Sequence, residues 1–439
     1  MIKKCCYYAT IVAIALLVLP LLFGVIAEKK CRDLVTSTNV PKLINIKLTK
    51  YKRGWFNSQA TLKISTQVHS FHQAAVEVRI KHGPFSINWS RFRLVQAVAK
   101  AAIIISPEWD SLLGTKGSTI KIATANLRIK INGAIELLLE MPKLECVDAD
   151  NSVLIRGLQL GAFWSSHYDT MKFNLVFMGV EGIVNGHGFN LGEVICDYNG
   201  LRSTNGIWVG ERILRLKSGW SKNTNNHTIS FRNFYLKDTI TSAKENRDNF
   251  TLVTTLEDLT VNNASYKNNN VVFEVTNLDQ KLLTTLYSLL LPNGILLSPK
   301  SILLDIIVSL LGNGSAIKIK EVSSHTPWGK LSGDATILCN APSNNVTAVG
   351  WLSTLASSNM EIMIKSEETL LLYVFEKFYG SISSGKDKLD PATKAKRNLD
   401  ELLRKGKLSS NSDGILHINI RYDNNQISVN GKPLTISIQ

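Results

Sequence analysis

Three histidines, His69, His72 and His82, lie close together in the chain, and clustered imidazoles are a common start to a metal site. On an extended segment, however, His69 and His72 point to opposite faces, which disfavours a shared ion. The glycines of NGHGFNLGE, Gly186, Gly188 and Gly192, miss the dinucleotide-binding spacing by one residue and precede no clear helix. The carboxylate pair Glu367 and Glu368 stands where a helix begins, a position that favours acidic residues through the macrodipole. No phosphate-binding loop, nucleophile elbow or zinc-protease motif occurs. These residues predict no catalytic constellation, no metal and no cofactor, hence a protein that is not an enzyme.

Cysteine chemistry is equally sparse. Cys5 and Cys6 precede a long apolar run, while Cys31, Cys146, Cys196 and Cys339 are spread along the remainder. Four cysteines allow three pairings, between which sequence does not choose. Free thiols and one disulfide in an oxidising compartment both stay open.

The elements that must carry these residues are mostly strands. Apolar Leu62, Ile64 and Val68 alternate with Lys63, Ser65 and Gln67. The same period of two returns in Ile120 to Ile131, at Ile229 and Phe231, at Ile317 and Ile319, and at Leu416, Ile418 and Ile420. This pattern predicts antiparallel meanders with one wet face. KNTNNH at 222–227 and YKNNN at 266–270 read as turns.

Helical patterns occupy the second half, at 279–291, at 301–311 and at 366–379, the last with Leu370, Val374 and Phe378 on one stripe. A further helix starts at Asp390-Pro391, with an Asp cap and a proline in the first turn. The expected fold is α+β and predominantly antiparallel β: an N-terminal transmembrane helix, then an elongated, twisted β-rich body with helical insertions. The expected segments are 1–30, a membrane anchor; 31–278, β-rich; and 279–439, mixed and continuing the same body. No Pro-, Gly- or Ser-rich linker separates the last two, so one body and two domains remain equally open.

The anchor rests on residues 5–27, which carry no charge and hold twelve Leu, Ile, Val or Phe. That is long enough to cross a hydrocarbon core of about 30 Å, with an insertion free energy of about −4 to −7 kcal/mol from those side chains. The rival is a cleaved signal peptide ending at Val25-Ile26-Ala27, but the run exceeds the roughly 7 to 15 residues of a signal core. Lys29, Lys30, Arg32 and Lys42 balance Lys3 and Lys4, so flanking charge does not set the orientation. Fifty basic against 35 acidic residues give a net charge of +15. Spread thinly, it predicts attraction to anionic surfaces such as lipid headgroups and, with no recognition motif, no nucleic-acid partner.

The segment YKRGWFNSQATL sets Tyr51, Arg53, Gly54, Trp55, Phe56, Ser58 and Ala60 in a dense group. Gly54 reads as a special backbone conformation or a close backbone approach, and Trp55 and Phe56 as rings to be buried at the corner entering the first strand; the alternative sets the rings and cations near the headgroup zone, against which the 23 residues between Ala27 and Tyr51 can hold the motif away from the bilayer. With HGPF (His82, Gly83, Pro84, Phe85), the segment 310–337 around the Thr-Pro-x-Gly turn (Thr326, Pro327, Gly329) and ISVNGKPL (Asn430, Gly431), it resembles in order the signature of YdgA-like bacterial envelope proteins, domain-of-unknown-function family 945. The middle, about 140–280, carries no recognised signature.

That resemblance implies a single-pass inner-membrane protein of Gram-negative bacteria with a periplasmic body and no attached enzymatic activity. The leading expectation is a non-enzymatic envelope protein binding or passing lipid or another amphiphile. The alternative is a structural or assembly module that binds another envelope protein through a sheet edge. A hydrolase is the third, with no nucleophile or base to name.

Overall fold

The protein is described from a computed structural model, which covers residues 18–29, 32, 44–66, 73–83, 85–88, 91–105, 121–148, 151–203, 208–243, 247–279, 315–339, 358–382, 390–423 and 426–434. Helix α1 occupies residues 18–29. Among the described residues no helix is long and apolar enough to cross a membrane, and most of the apolar run 5–27 lies outside them. The expected helices at 279–291 and 301–311, together with His69, His72, Cys31 and Pro84, also lie outside the described residues.

The chain divides into two compact units, residues 1–202 with 221–226, and 203–220 with 227–439. In the first, β1 (Ile44–Arg53), β2 (Asn57–Thr66), β3 (Gln73–His82), β4 (Phe85–Asn88), β5 (Arg91–Ile105), β6 (Lys121–Lys130) and β7 (Ile135–Met141) are followed by seven shorter strands. These are β8 (Leu144–Asp148), β9 (Asn151–Ile155), β10 (Leu158–Trp164), β11 (Thr170–Phe177), β12 (Val180–Val184), β13 (His187–Leu191) and β14 (Val194–Arg202). Antiparallel pairing runs β1-β2-β3-β5-β6-β7-β10-β11-β14, with β4 as a short hairpin on β5.

Paired residues share a face, so the register decides what each face is made of. One row reads Ala60, Val78, Ala101, Ala125, Leu139, Leu160, Leu175 and Cys196, and the next apolar row reads Ile80, Ala99, Leu127, Leu137, Ala162, Phe173 and Tyr198. The row between them, on the opposite face, reads Gln59, Arg79, Lys100, Asn126, Leu138, Gly161, Asn174 and Asp197. One face is therefore apolar across eight strands and the other mostly polar.

A crease crosses four strand pairs at one level. β7 hands over to β8, β9 to β10, β11 to β12 and β13 to β14, while β8-β9, β9-β12 and β12-β13 continue the ladders beyond it. Gly157 at φ 128° and Gly179 at φ 118° form the crease, joined through Arg156 N–H to Gly179 O at 2.9 Å and Met178 N–H to Gly157 O at 2.9 Å. A Cβ on Gly179 would stand 2.7 Å from Leu191 O, so this bend needs glycine. The NGHGFNLGE segment is the β12–β13 hairpin, turned by Asn185 and Gly186, both at positive φ, as an Asn-Gly hairpin requires.

The second unit contains β15 (Trp208–Lys222), of which residues 221–222 fall in the first unit, then β16 (Thr228–Ser242), β17 (Arg247–Val261), β18 (Ala264–Asp279), β19 (Ala316–Thr326), β20 (Gly329–Cys339) and β21 (Ser358–Glu367). Helices α2 (Glu368–Ile382) and α3 (Pro391–Arg404) precede β22 (Ser409–Ser410), β23 (Ile415–Asp423), β24 (Gln426–Val429) and β25 (Lys432–Pro433). Pairing from β16 runs in chain order to β21 and then β23, β24 and β25. Ile240, Phe250, Val275, Ile317, Ile337, Met360, Tyr422 and Ile427 form an apolar row. Its neighbour on the other face is Thr239, Thr251, Glu274, Lys318, Thr336, Glu361, Arg421 and Ser428.

Two sequence expectations are corrected here. YKNNN at 266–270 lies within β18; the turn is made just before it by Asn262 at φ 54°, and the asparagines become a register shift between Lys267 and Asn270. On α2, Leu370 is buried, but Val374 and Phe378 are exposed; Leu371, Leu372 and Phe375 pack instead around Leu399, Leu408 and Leu416. The helix has apolar residues around most of its circumference, and the partner α3 selects which of them are covered. Asp390 caps α3 as expected, accepting from Thr393 N–H at 2.9 Å.

Leu399 is 1% exposed, so Leu399→Ala is expected to destabilise the second unit by about 2 to 5 kcal/mol. Val374→Ala on the exposed face should change it by less than about 0.5 kcal/mol. Urea denaturation followed by circular dichroism checks both.

Candidate functional site

A buried polar pair in the first unit joins two of the sequence motifs. Tyr51 and Arg53 end β1, Gly54 and Trp55 turn the chain, and Ser58 and Ala60 lie on β2. Gly54 N–H donates to Asn57 O at 2.8 Å, and a Cβ on Gly54 would lie 2.6 Å from the same oxygen. The motif thus joins β1 to β2; it does not lead into the first strand. Trp55 and Phe56 are 50% and 55% exposed, contrary to their expected burial, because the tight turn directs them off the sheet's end.

His82 ends β3 and its N–H donates to Phe56 O at 2.8 Å. Its Nε2 lies 2.8 Å from Ser58 Oγ, both side chains being buried. Gly83 follows, its N–H donating to Gln96 O at 2.7 Å; a Cβ there would fall 1.8 Å from Val95 O. Only glycine permits that approach. Phe85 opens β4, paired with Leu94.

A serine hydroxyl at hydrogen-bond distance from an imidazole is the geometry of an activated nucleophile. Here Ser58 is 1% exposed, and His82 Nδ1 is buried with no hydrogen-bond partner among the described residues. Among the described residues no acid orients the ring, and the hydroxyl is shut off from solvent. Burial holds the His82 pKa below its ordinary value, which keeps the ring neutral. The pair acts as a clasp between β2 and β3.

The clasp also receives α1. Pro20 and Gly24 are buried, and a Cβ on Gly24 would stand 3.2 Å from His82 Nε2. Glu28, one turn further, accepts from Arg53 Nη1 at 3.4 Å and from Arg32 at 2.9 Å. The helix is thus held by its small residues at one level and by a carboxylate at the next.

The other motifs are corners of the second unit. Thr326, Pro327, Trp328 and Gly329 turn β19 into β20: Thr326 Oγ1 donates to Gly329 O at 2.8 Å and accepts from Trp328 N–H at 3.2 Å. Trp328 stacks on Tyr373 of α2 with ring centroids 3.7 Å apart, and Thr369 donates to Trp328 O. An open depression of about 570 Å³ lies beside this turn, lined by His325, Lys330, Glu367 and Thr369 among others. Asn430 and Gly431, at φ 47° and 75°, turn β24 into β25. Asn430 Oδ1 accepts from Asn419 N–H at 2.8 Å and its Nδ2 donates to Lys407 O at 3.0 Å.

Of the cysteines, Cys146 on β8 and Cys196 on β14 are not joined by a disulfide, and burial pushes the Cys146 thiol pKa up, away from reactivity. Cys339 ends β20. No group of three or more His, Cys, Asp or Glu able to hold a metal occurs among the described residues.

The model of one family, described as a bacterial protein of unknown function (DUF945), matches residues 2–437. The chain belongs to the DUF945 family. No curated protein and no solved structure matches it. In this DUF945 chain the four motif segments fall at corners: two of them meet at the Ser58–His82 clasp, and the other two lock α2 and the end of α3 to the sheet.

Sequence reasoning missed the Ser58–His82 pair, although both residues stood in motifs it had singled out. Their separation of 24 positions is bridged only by the β2–β3 register. Ser58→Ala is expected to cost about 1 to 3 kcal/mol by leaving a buried imidazole nitrogen unpaired. The His82 pKa is lower folded than unfolded, so between the two the unfolded chain binds the extra proton. Stability should therefore fall as pH drops below about 6.5, and His82→Asn should flatten that loss in thermal melts recorded from pH 7.5 to 5.

Proposed function

We propose that this DUF945 chain is a non-enzymatic, single-pass inner-membrane protein whose β-rich body lies in the periplasm and holds or passes lipid or another amphiphile along the apolar face of its sheet. The observation that carries this reading is the apolar row from Ala60 to Cys196, repeated by the row from Ile80 to Tyr198. Acyl chains need a long apolar surface and few directed hydrogen bonds, and these rows supply that chemistry. Most of their members are half-buried, not sealed. Retention of the N-terminal segment is supported by its seat: Gly24 lies against His82 and Glu28 pairs with Arg53, a fit that a cleaved leader would not need.

The assembly-module alternative would use a sheet edge. Edge strand β1 carries Lys47, Lys50, Lys52 and Arg53, and charge of this kind discourages strand addition. A hydrolase is disfavoured by the sealed Ser58 hydroxyl.

The test is labelling of the full chain with a photoactivatable phosphatidylethanolamine, followed by peptide mapping. Adducts are expected on residues of the apolar rows. Ala162→Glu puts a carboxylate in that surface, where an unpaired charge costs several kcal/mol, and should cut labelling by at least about tenfold. Gly161→Glu, on the opposite face where a Cβ meets nothing within 4 Å, should leave it unchanged. Equal labelling of both faces, or equal effects of the two variants, refutes the reading.

A further inference from the structure

The outward side of α1 carries Val18, Leu21, Leu22, Val25 and Ile26, all exposed, while Gly24 on its other side lies against His82. At the same end of the first unit the β1–β2 turn exposes Trp55 and Phe56. Two contacts fix their common level. Arg53, next to the turn, pairs with Glu28 at 3.4 Å. His82, whose N–H holds Phe56 O at 2.8 Å, lies against Gly24. Gly24 and Glu28 are one turn apart, about 6 Å along the helix axis, so the β1–β2 turn that carries the two rings lies level with the last turn of the apolar run.

About 20 apolar residues suffice to cross a bilayer, which the run from Cys5 satisfies before Gly24 is reached. Val25 and Ile26 then leave the hydrocarbon core, and Glu28 and Lys29 meet water. Trp and aromatic side chains favour this boundary, where a ring is half in contact with lipid. Lys50, Lys52 and Arg53, all exposed, stand next to the turn where anionic headgroups attract them.

We propose that the turn at residues 54–56 is a second membrane contact: Trp55 and Phe56 enter the headgroup layer beside the last turn of α1, with Lys50, Lys52 and Arg53 on the headgroups. The sheet is thereby seated with the β1–β2 end on the bilayer surface. This rests on the reading of residues 5–27 as an uncleaved span and adds to it the position of the body.

The experiment places p-benzoylphenylalanine at Trp55, Val25 or Ile183 in the full chain, in nanodiscs of phosphatidylethanolamine and phosphatidylglycerol. After irradiation, lipid adducts are measured by mass spectrometry. Ile183 is 50% exposed, equal to Trp55, and serves as the control. Adducts at positions 55 and 25, at least about tenfold above position 183, are the expected result. Adducts at 25 without 55, or equal adducts at 55 and 183, overturn the second contact while leaving the span intact. Absence of adducts at 25 overturns the span and the proposal with it. Irradiation in detergent before reconstitution identifies a co-purified lipid; an adduct at 55 already present at that stage, and not increased in nanodiscs, overturns the bilayer as its source.

Discussion

Strand register is the constraint on which the rest of this chain depends, because paired residues in an antiparallel ladder share a face and a slip of one residue would invert every face beyond it. The two apolar faces exist only while each strand holds its phase. Where the sequence loses phase, a bulge restores it. Leu48 and Tyr51 are three apart, and the shift between Leu48 and Lys50 returns Tyr51 to the row of Ala60. Ile319 and Val322 are likewise three apart, and the shift between them sets Val322 opposite Gly333 on the row of Ile364.

Corners then carry the burden that a thick core carries elsewhere. The Ser58–His82 pair, the stacking of Trp328 on Tyr373 and the bonds of Asn430 each tie a turn to an element distant in sequence. Glycines at these corners and at the crease are required by backbone approach more than by flexibility, most clearly at Gly83. Among the described residues the ends and bends of the sheet are held by these specific contacts.

The strands were legible because alternation of apolar and charged residues is a local property. Lys121–Lys130 and Ile415–Asp423 emerged close to their expected limits. The Asp390 cap was legible for the same reason. The covered face of α2 was not, since its apolar residues surround the helix and α3 decides which are buried. The asparagines at 266–270 read as a turn because turn propensity is local, while ladder pairing on both sides holds them in β18.

The sequence by itself determined the β-rich antiparallel class, the apolar N-terminal run and the family, since each rests on composition, period or short motifs in order. Only the tertiary structure decided what YKRGWF does. Its glycine turns β1 into β2, its arginine reaches Glu28, and its aromatic rings remain outside the core. Ring burial is a competition among surfaces that come together only on folding. No local pattern records that Arg53 of this turn pairs with Glu28, 25 positions earlier, while the two rings beside it stay exposed.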